Sequence, residues 1–296
     1  MRWRHAPHLR LSQGQDSRLA FPCVYCGCVS VFASIPVWVL ITAAVVAGLT
    51  FGSFLNVCIV RLPAHQSIVT PASHCVHCDA PIGAGDNIPV IGWLMLRGHC
   101  RNCKANISSR YPLVELGTAA LFAACVLHTG AAWQTLVDAV ACFLLLGLAV
   151  MDWETMLLPD AFTLSGIAVA FLLRVFAPGN HFRTRVAMHV VGDAAISAAL
   201  LLMVGTLYRL VRRRKGLGLG DVKLLAMIAA FLGLPVTLLA FYVAVLTAAL
   251  FAVVLLIMRR ARASDRIPFG SFFAAAGIAA IFIGKPVIAW YLSSFR

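Results

Sequence analysis

Gly216-Leu217-Gly218-Leu219-Gly220-Asp221-Val222-Lys223 is a glycine-rich run that ends in an acid and a base where an apolar segment begins. The apolar stretch that follows, Leu224 to Leu234, is too short to cross a bilayer, which takes about 20 residues. A crossing must therefore begin inside the run, which draws Asp221 and Lys223 below the membrane surface. An ionisable group at that depth is costly and by default marks a functional site. The glycines agree with this, because non-helical backbone at membrane depth is tolerated only where it is buried in protein or lines a wet cavity. The competing reading is a hydrated surface loop with Lys223 snorkelling out of an ordinary helix end.

The rest of the chain supports a membrane setting. Its 296 residues are 61% hydrophobic and 12% charged, with a mean hydropathy of +0.90. That composition belongs to a multi-pass membrane protein and excludes the soluble globular classes. The formal charge of +13 does not imply a nucleic-acid partner. Lys and Arg gather between apolar segments, as the positive-inside rule expects, and no basic amphipathic helix with interleaved aromatics occurs.

Eight apolar segments are predicted, at about 35–60, 112–128, 133–151, 161–177, 187–208, 217–234, 236–258 and 269–292. The expected fold is therefore an all-α polytopic membrane protein of about eight transmembrane helices, with a long polar loop between the first and second. Residues 1–34 carry four arginines and Cys23, Cys26 and Cys28, lack a signal-peptide pattern, and read as a poorly ordered extension without a role in the chemistry. No internal repeat is found. The loops 61–111, 209–223 and 259–266 hold fifteen Lys and Arg against nine on the opposite side. This places the 61–111 loop in the cytosol.

Asp152 closes the segment 133–151, on the same side as Asp221 in this topology. Two carboxylates brought together share one proton, and the two forms divide the work of hydrolysis. The ionised member takes a proton from water, and the protonated one polarises the scissile carbonyl. The pair acts as a unit, so neither role is fixed on one residue. Asp152 stands at a helix C-terminus, where the macrodipole disfavours an anion. Asp160, after Pro159, reads as a helix cap. Asp138 and Asp193 fall toward the opposite face, while Glu115 stays near the cytosolic one as a competitor that pairs with Arg110.

Cys75-Val76-His77-Cys78 and Cys100-Arg101-Asn102-Cys103 are two Cys-x-x-Cys pairs separated by 21 residues. In a reducing cytosolic loop this spacing favours a metal over disulfides. Four thiolates suit a closed, structural zinc (Zn2+) site. His74, His77 and His99 read as bystanders. Cys58, Cys125 and Cys142 lie in apolar segments and read as packing residues.

Taken together, these motifs resemble the prepilin leader peptidase/N-methyltransferases, the bifunctional aspartic peptidases of type IV pilus and type II secretion systems. The resemblance covers roughly 40–292. It rests on Gly52-Ser53-Phe54-Leu55-Asn56-Val57, the cysteine pairs, Asn87-Ile88-Pro89, Arg110-Tyr111-Pro112-Leu113-Val114-Glu115, the Asp152 to Asp160 stretch, Gly218 to Lys223 and Pro268-Phe269-Gly270. It implies that Asp152 and Asp221 are the catalytic acids and that prepilin or pseudopilin leaders are cut at the cytosolic face of the bacterial inner membrane. It further implies that the new N-terminal residue, usually Phe, is methylated from S-adenosylmethionine, and that the products enter pilus or secretion assembly machinery. Residues 61–111 become a cytosolic zinc loop linked to methyl transfer, with 35–60 a first transmembrane helix and 112–296 the peptidase bundle. Gly98 falls in the region linked to methylation. The residues that bind S-adenosylmethionine are not readable, because no glycine-rich loop follows a predicted strand.

Two departures stand out. The 1–34 extension has no counterpart in the family pattern, and the family's usual Pro-Phe-Gly-Pro reads Pro-Phe-Gly-Ser at Pro268 to Ser271, a change expected to leave the catalytic machinery untouched. Competing classes are a peptidase whose zinc loop only docks substrate, a proton or cation relay through Asp152 and Asp221, and a zinc-stapled assembly platform. A relay calls for acids at several depths, whereas the two best candidates here share one side.

Overall fold

A computed structural model describes residues 35–213, 218–259 and 267–294; the 1–34 extension, its three cysteines and the Gly216-Leu217 start of the glycine run lie outside the described residues. The described residues form helices and no strand. These are α1 (Val37–Arg61), α2 (Ile91–Met95), α3 (Arg110–Thr129), α4 (Trp133–Thr155), α5 (Asp160–Val175), α6 (Arg183–Arg212), α7 (Leu219–Leu232), α8 (Leu234–Ile257) and α9 (Phe269–Ser293). All but the single-turn α2 coincide with the eight predicted apolar segments.

Six of them, α1, α3, α4, α6, α8 and α9, are long and apolar enough to cross a membrane. With 16 and 14 residues, α5 and α7 fall short of that length. The shortness of α7 has a physical counterpart in its burial. Val222 and every residue from Leu224 to Phe231 are buried, as befits a helix that is apolar all round. It packs against α4, α5, α6, α8 and α9, so protein rather than lipid surrounds it. The outer helices show the opposite pattern. α8 is the most apolar of the long helices and yet exposes Leu246, Leu250 and Val253. An exposed apolar stripe on that scale is what a lipid-facing surface requires.

The α1–α3 pair is built on Gly48-x-x-x-Gly52, a small-residue spacing that lets membrane helices approach closely. A Cβ at Gly48 would come within 2.5 Å of the Ala119 Cα, and one at Gly52 within 2.7 Å of the Glu115 Cα. Leu55, Leu145, Leu148, Met151, Leu224 and Phe273 then carry the core from α1 through α4 to α7 and α9. The polar ends of α1, α3, α4, α5, α7 and α9 meet at one end of this bundle. Cross-links there run from Arg110 to Glu154, from Lys223 to Asp160 and from Ser271 to Asp152.

Candidate active site and metal centre

Asp152 lies in the last turn of α4, which ends at Met156 in the left-handed conformation (φ 54°). Its carboxylate therefore faces the negative end of its own helix. The start of α9 offsets this. The first N–H groups of a helix have no partner within it, and here they are turned on Asp152. The Ser271 N–H donates to Asp152 Oδ2 at 2.7 Å, the Gly270 N–H bonds the same carboxyl, and the Ser271 hydroxyl lies 3.1 Å from Oδ2. Gly270 is what allows the approach, because a Cβ there would stand 3.0 Å from both Cγ and Oδ2 of Asp152. The departure from the family pattern, expected to leave the catalytic machinery untouched, thus falls on a residue that touches Asp152 directly, Ser271.

Asp221 is the third residue of α7 and accepts the Gly218 N–H at 3.3 Å. This is the reach-back half of a capping box, in which a side chain at that position bonds the N-cap N–H. The positive end of α7 also favours a carboxylate here. Asp221 lies within Coulombic range of Asp152, so both acids occupy helix N-termini, one on its own helix and one on a neighbour's. Leu158 separates the two backbones. A Cβ on Gly220 would meet Leu158 Cβ at 3.0 Å, and one on Gly270 would meet Leu158 Cδ1 at 3.0 Å. Lys223 pins this end of α7 to the start of α5 through Asp160, at 2.6 Å. Asp160, expected to be a cap, is instead the first helical residue, with Pro159 at the cap position.

The remaining acids sort as follows. Asp138 is buried near the far end of α4 and accepts from Gln134 at 2.7 Å. Asp193 lies beside Gly233, past the C-terminal end of α7 and so at the far end from Asp221. Glu115 does not pair with Arg110; its Oε2 accepts the Val90 N–H at 2.7 Å, while Arg110 reaches Glu154 at 2.5 Å. Glu154 and Ser271 are the site neighbours that sequence reasoning missed. Glu154 carried a signal, two positions from Asp152 in a chain with few acids; Ser271 carried only its departure from the family pattern.

The four thiols of Cys75, Cys78, Cys100 and Cys103 lie within 4.8 Å of one another. Cys75 Sγ and Cys103 Sγ are 3.8 Å apart, the edge of a sulfur tetrahedron whose metal–sulfur distance is about 2.3 Å. The two halves of the cluster are copies of one turn, and this corrects the expectation of no internal repeat. His74-Cys75-Val76-His77-Cys78-Asp79-Ala80 matches His99-Cys100-Arg101-Asn102-Cys103-Lys104-Ala105 at both cysteines, the histidine and the alanine. In each half the first cysteine N–H donates to the alanine carbonyl, at 2.9 and 2.8 Å, and the residue after the second cysteine takes positive φ. Backbone N–H groups also point at sulfur. The Cys103 N–H, and after it the Asn102 N–H, pull the Cys100 thiol down to about 6. Against the pull of the Ala105 N–H, burial and the sulfurs of Cys78, Cys100 and Cys75 instead push the Cys103 thiol up to about 11. The donor set can hold a metal ion, which takes cysteines as thiolates. His74 and His99 turn away, each bonded through Nδ1 to a backbone carbonyl. Arg101, inside the second pair, forks onto Asp86 at 2.6 and 2.7 Å and holds that carboxyl below its usual range.

The fold is that of a polytopic helical membrane protein with Asp152 and Asp221 at one end of its bundle and a four-thiol cluster in the loop between α1 and α3. Residues 46–129 match the Bacterial Peptidase A24 N-terminal domain, and residues 139–253 match the Type IV leader peptidase family. Curated relatives bear the name prepilin leader peptidase/N-methyltransferase. The one from Aeromonas hydrophila is 35% identical, over 87% of this chain and 96% of its own. Those from Stutzerimonas stutzeri (36%; 86% and 95%) and Pseudomonas aeruginosa (34%; 85% and 93%) are similar. No solved structure matches. The chain belongs to the type IV leader peptidase family.

Proposed function

We propose that this protein is the membrane-embedded aspartic endopeptidase that removes the leader of type IV prepilins or type II secretion pseudopilins and N-methylates the new N-terminus from S-adenosylmethionine. The observation that carries the reading is the convergence of Asp152 and Asp221 at one end of the bundle, each at a helix N-terminus. The ionised member of the pair takes a proton from water while the resulting hydroxide attacks the scissile carbonyl carbon. The protonated member donates to the carbonyl oxygen, and the member that took the water proton then gives it to the amide nitrogen. Collapse of the tetrahedral intermediate expels the new α-amine as the first acid recovers its proton. Asp138 sits 14 residues before Asp152 on α4, about 21 Å along the helix, too far for direct proton transfer between them.

In this reading residues 112–296 form the peptidase bundle, and 61–111 form a cytosolic loop held by one zinc ion on Cys75, Cys78, Cys100 and Cys103. The excess of Lys and Arg in the loops on this side supports a cytosolic face for both activities, in the bacterial inner membrane. Substrates arrive from the bilayer, and products pass to pilus or secretion assembly machinery. The test is cleavage of a co-expressed prepilin in membranes. The wild type releases the leader and Asp152→Asn and Asp221→Asn do not; full cleavage by both variants contradicts the assignment.

A further inference from the structure

Where the cysteine loop meets the ends of α1 and α3 there is a cavity of about 1010 Å³. It stands at the upper end of the range, about 300–1,000 Å³, that holds drug-sized ligands. Its walls contain an unmet hydrogen-bonding demand. Asn56 is 1% exposed, and its Nδ2 donates to the Tyr111 carbonyl at 3.0 Å. Asn56 Oδ1, however, has no partner, and neither has Arg110 Nε. Among the described residues only one other buried side-chain atom, Ser197 Oγ, is left in this condition. Both Asn56 and Arg110 line the cavity. Buried polar groups are nearly always satisfied, and two of the three exceptions among the described residues belong to residues that line this cavity.

The other walls define that ligand's chemistry. Glu115, 6% exposed, supplies an acid; its Oε2 is held by the N–H of Val90, a β-branched residue kept at φ 62°. Trp93 supplies an aromatic face. Its Nε1 donates to the Ile107 carbonyl at 3.1 Å, and Gly98 (φ +73°) lies against the ring, where a Cβ would come within 3.0 Å of it. An aromatic plane, a carboxylate and an amide acceptor suit an adenosyl sulfonium, which carries a flat base, a fixed positive charge and N–H and O–H donors.

We propose that S-adenosylmethionine binds in this cavity, with Asn56, Trp93, Arg110 and Glu115 as its contacts, and that the incoming N-terminus enters beside it. The proposal rests on the methyltransferase reading above and gives that reading a location. The neutral α-amine attacks the methyl carbon, the C–N bond forms as the S–CH3 bond breaks, and sulfur keeps the electron pair as a neutral thioether. The nitrogen then loses one proton to solvent. Arg110 also ties the cavity to the peptidase site, since it bonds Glu154, two residues past Asp152. Gly98 sets the position of Trp93, so a side chain there should weaken S-adenosylmethionine binding.

The test is equilibrium dialysis of tritiated S-adenosylmethionine against the zinc-loaded full chain in detergent, followed by ultraviolet cross-linking and peptide mapping. The wild type is expected to bind one equivalent, with label confined to peptides from residues 53–115. Trp93→Leu and Glu115→Gln raise Kd at least tenfold while zinc content stays at one per chain, and Ser197→Ala binds as wild type. Label confined to peptides beyond residue 130, or unchanged Kd in both cavity variants, overturns the location while the methyltransferase reading stands. No binding by the wild type overturns the methyltransferase reading itself.

Discussion

Ser271 places two donors on one oxygen of Asp152, a backbone N–H at 2.7 Å and a hydroxyl at 3.1 Å, across 119 positions of sequence. The hydroxyl also lies 2.8 Å from the Ala149 carbonyl. It has one proton, and so it donates to Oδ2 when Asp152 is ionised and to Ala149 when Oδ2 itself carries a proton. Ser271→Ala removes the hydroxyl and keeps the N–H. A hydrogen bond contributes about 0.5–1.5 kcal/mol net, so leader cleavage should slow by roughly 2- to 12-fold. Methylation of a peptide supplied already cleaved should be unchanged. Single-turnover rates on both substrates check this.

Gly270 is the most constrained position beside that carboxylate. A Cβ there stands 3.0 Å from the carboxyl carbon and from Oδ2 of Asp152, and equally close to Leu158 Cδ1. Gly270→Ala should push the start of α9 off Asp152 and cost more cleavage activity than Ser271→Ala. A ranking of the two variants in the same membrane assay decides the point.

The acids themselves were legible because depth in a membrane makes each acid conspicuous. Asp221 ends a Gly-Leu run ahead of an apolar stretch too short to cross alone, so a crossing that begins inside the run takes the acid with it. The cysteine pairs were legible by spacing alone. Ser271 was not, because its role exists only once α9 lies over the end of α4, and its backbone N–H has no sequence signature. The Arg110–Glu154 pair was hidden for the same reason, and proximity in sequence favoured Glu115 wrongly. The α1–α3 contact was written in Gly48-x-x-x-Gly52, but a small-residue spacing does not say which helix packs against it.

The α1–α3 contact makes a stability prediction. A Cβ at Gly48 falls 2.5 Å from backbone of Ala119, where no side chain can give way. Gly48→Ala should destabilise the detergent-solubilised protein by about 1–3 kcal/mol, as overpacking of a close contact does. Thermal unfolding followed by the accessibility of buried Cys58 reads the change. A melting temperature equal to wild type contradicts the close packing.

Metal removal should act on one activity before the other. Cys103→Ser leaves three thiols and should reduce bound zinc from one per chain to nearly none, since a structural site and its loop form together. Limited proteolysis should then nick the chain between residues 62 and 109. Methyl transfer should fail, while cleavage falls less, because Asp152 and Asp221 are held by α7 and α9. Metal analysis and the two activity assays on one preparation decide it.

Exchange of either acid for its amide should lower cleavage by on the order of a thousandfold or more, as loss of a group from a catalytic pair does. The most direct measurement of the central claim is the intact mass of a matched prepilin after incubation with membranes containing this protein, with and without S-adenosylmethionine. The account predicts loss of the leader in both cases, one added methyl group only with the donor present, and neither change with Asp221→Asn. An intact prepilin after exposure to correctly inserted wild-type protein, or a leader removed equally well by the variant, would contradict it.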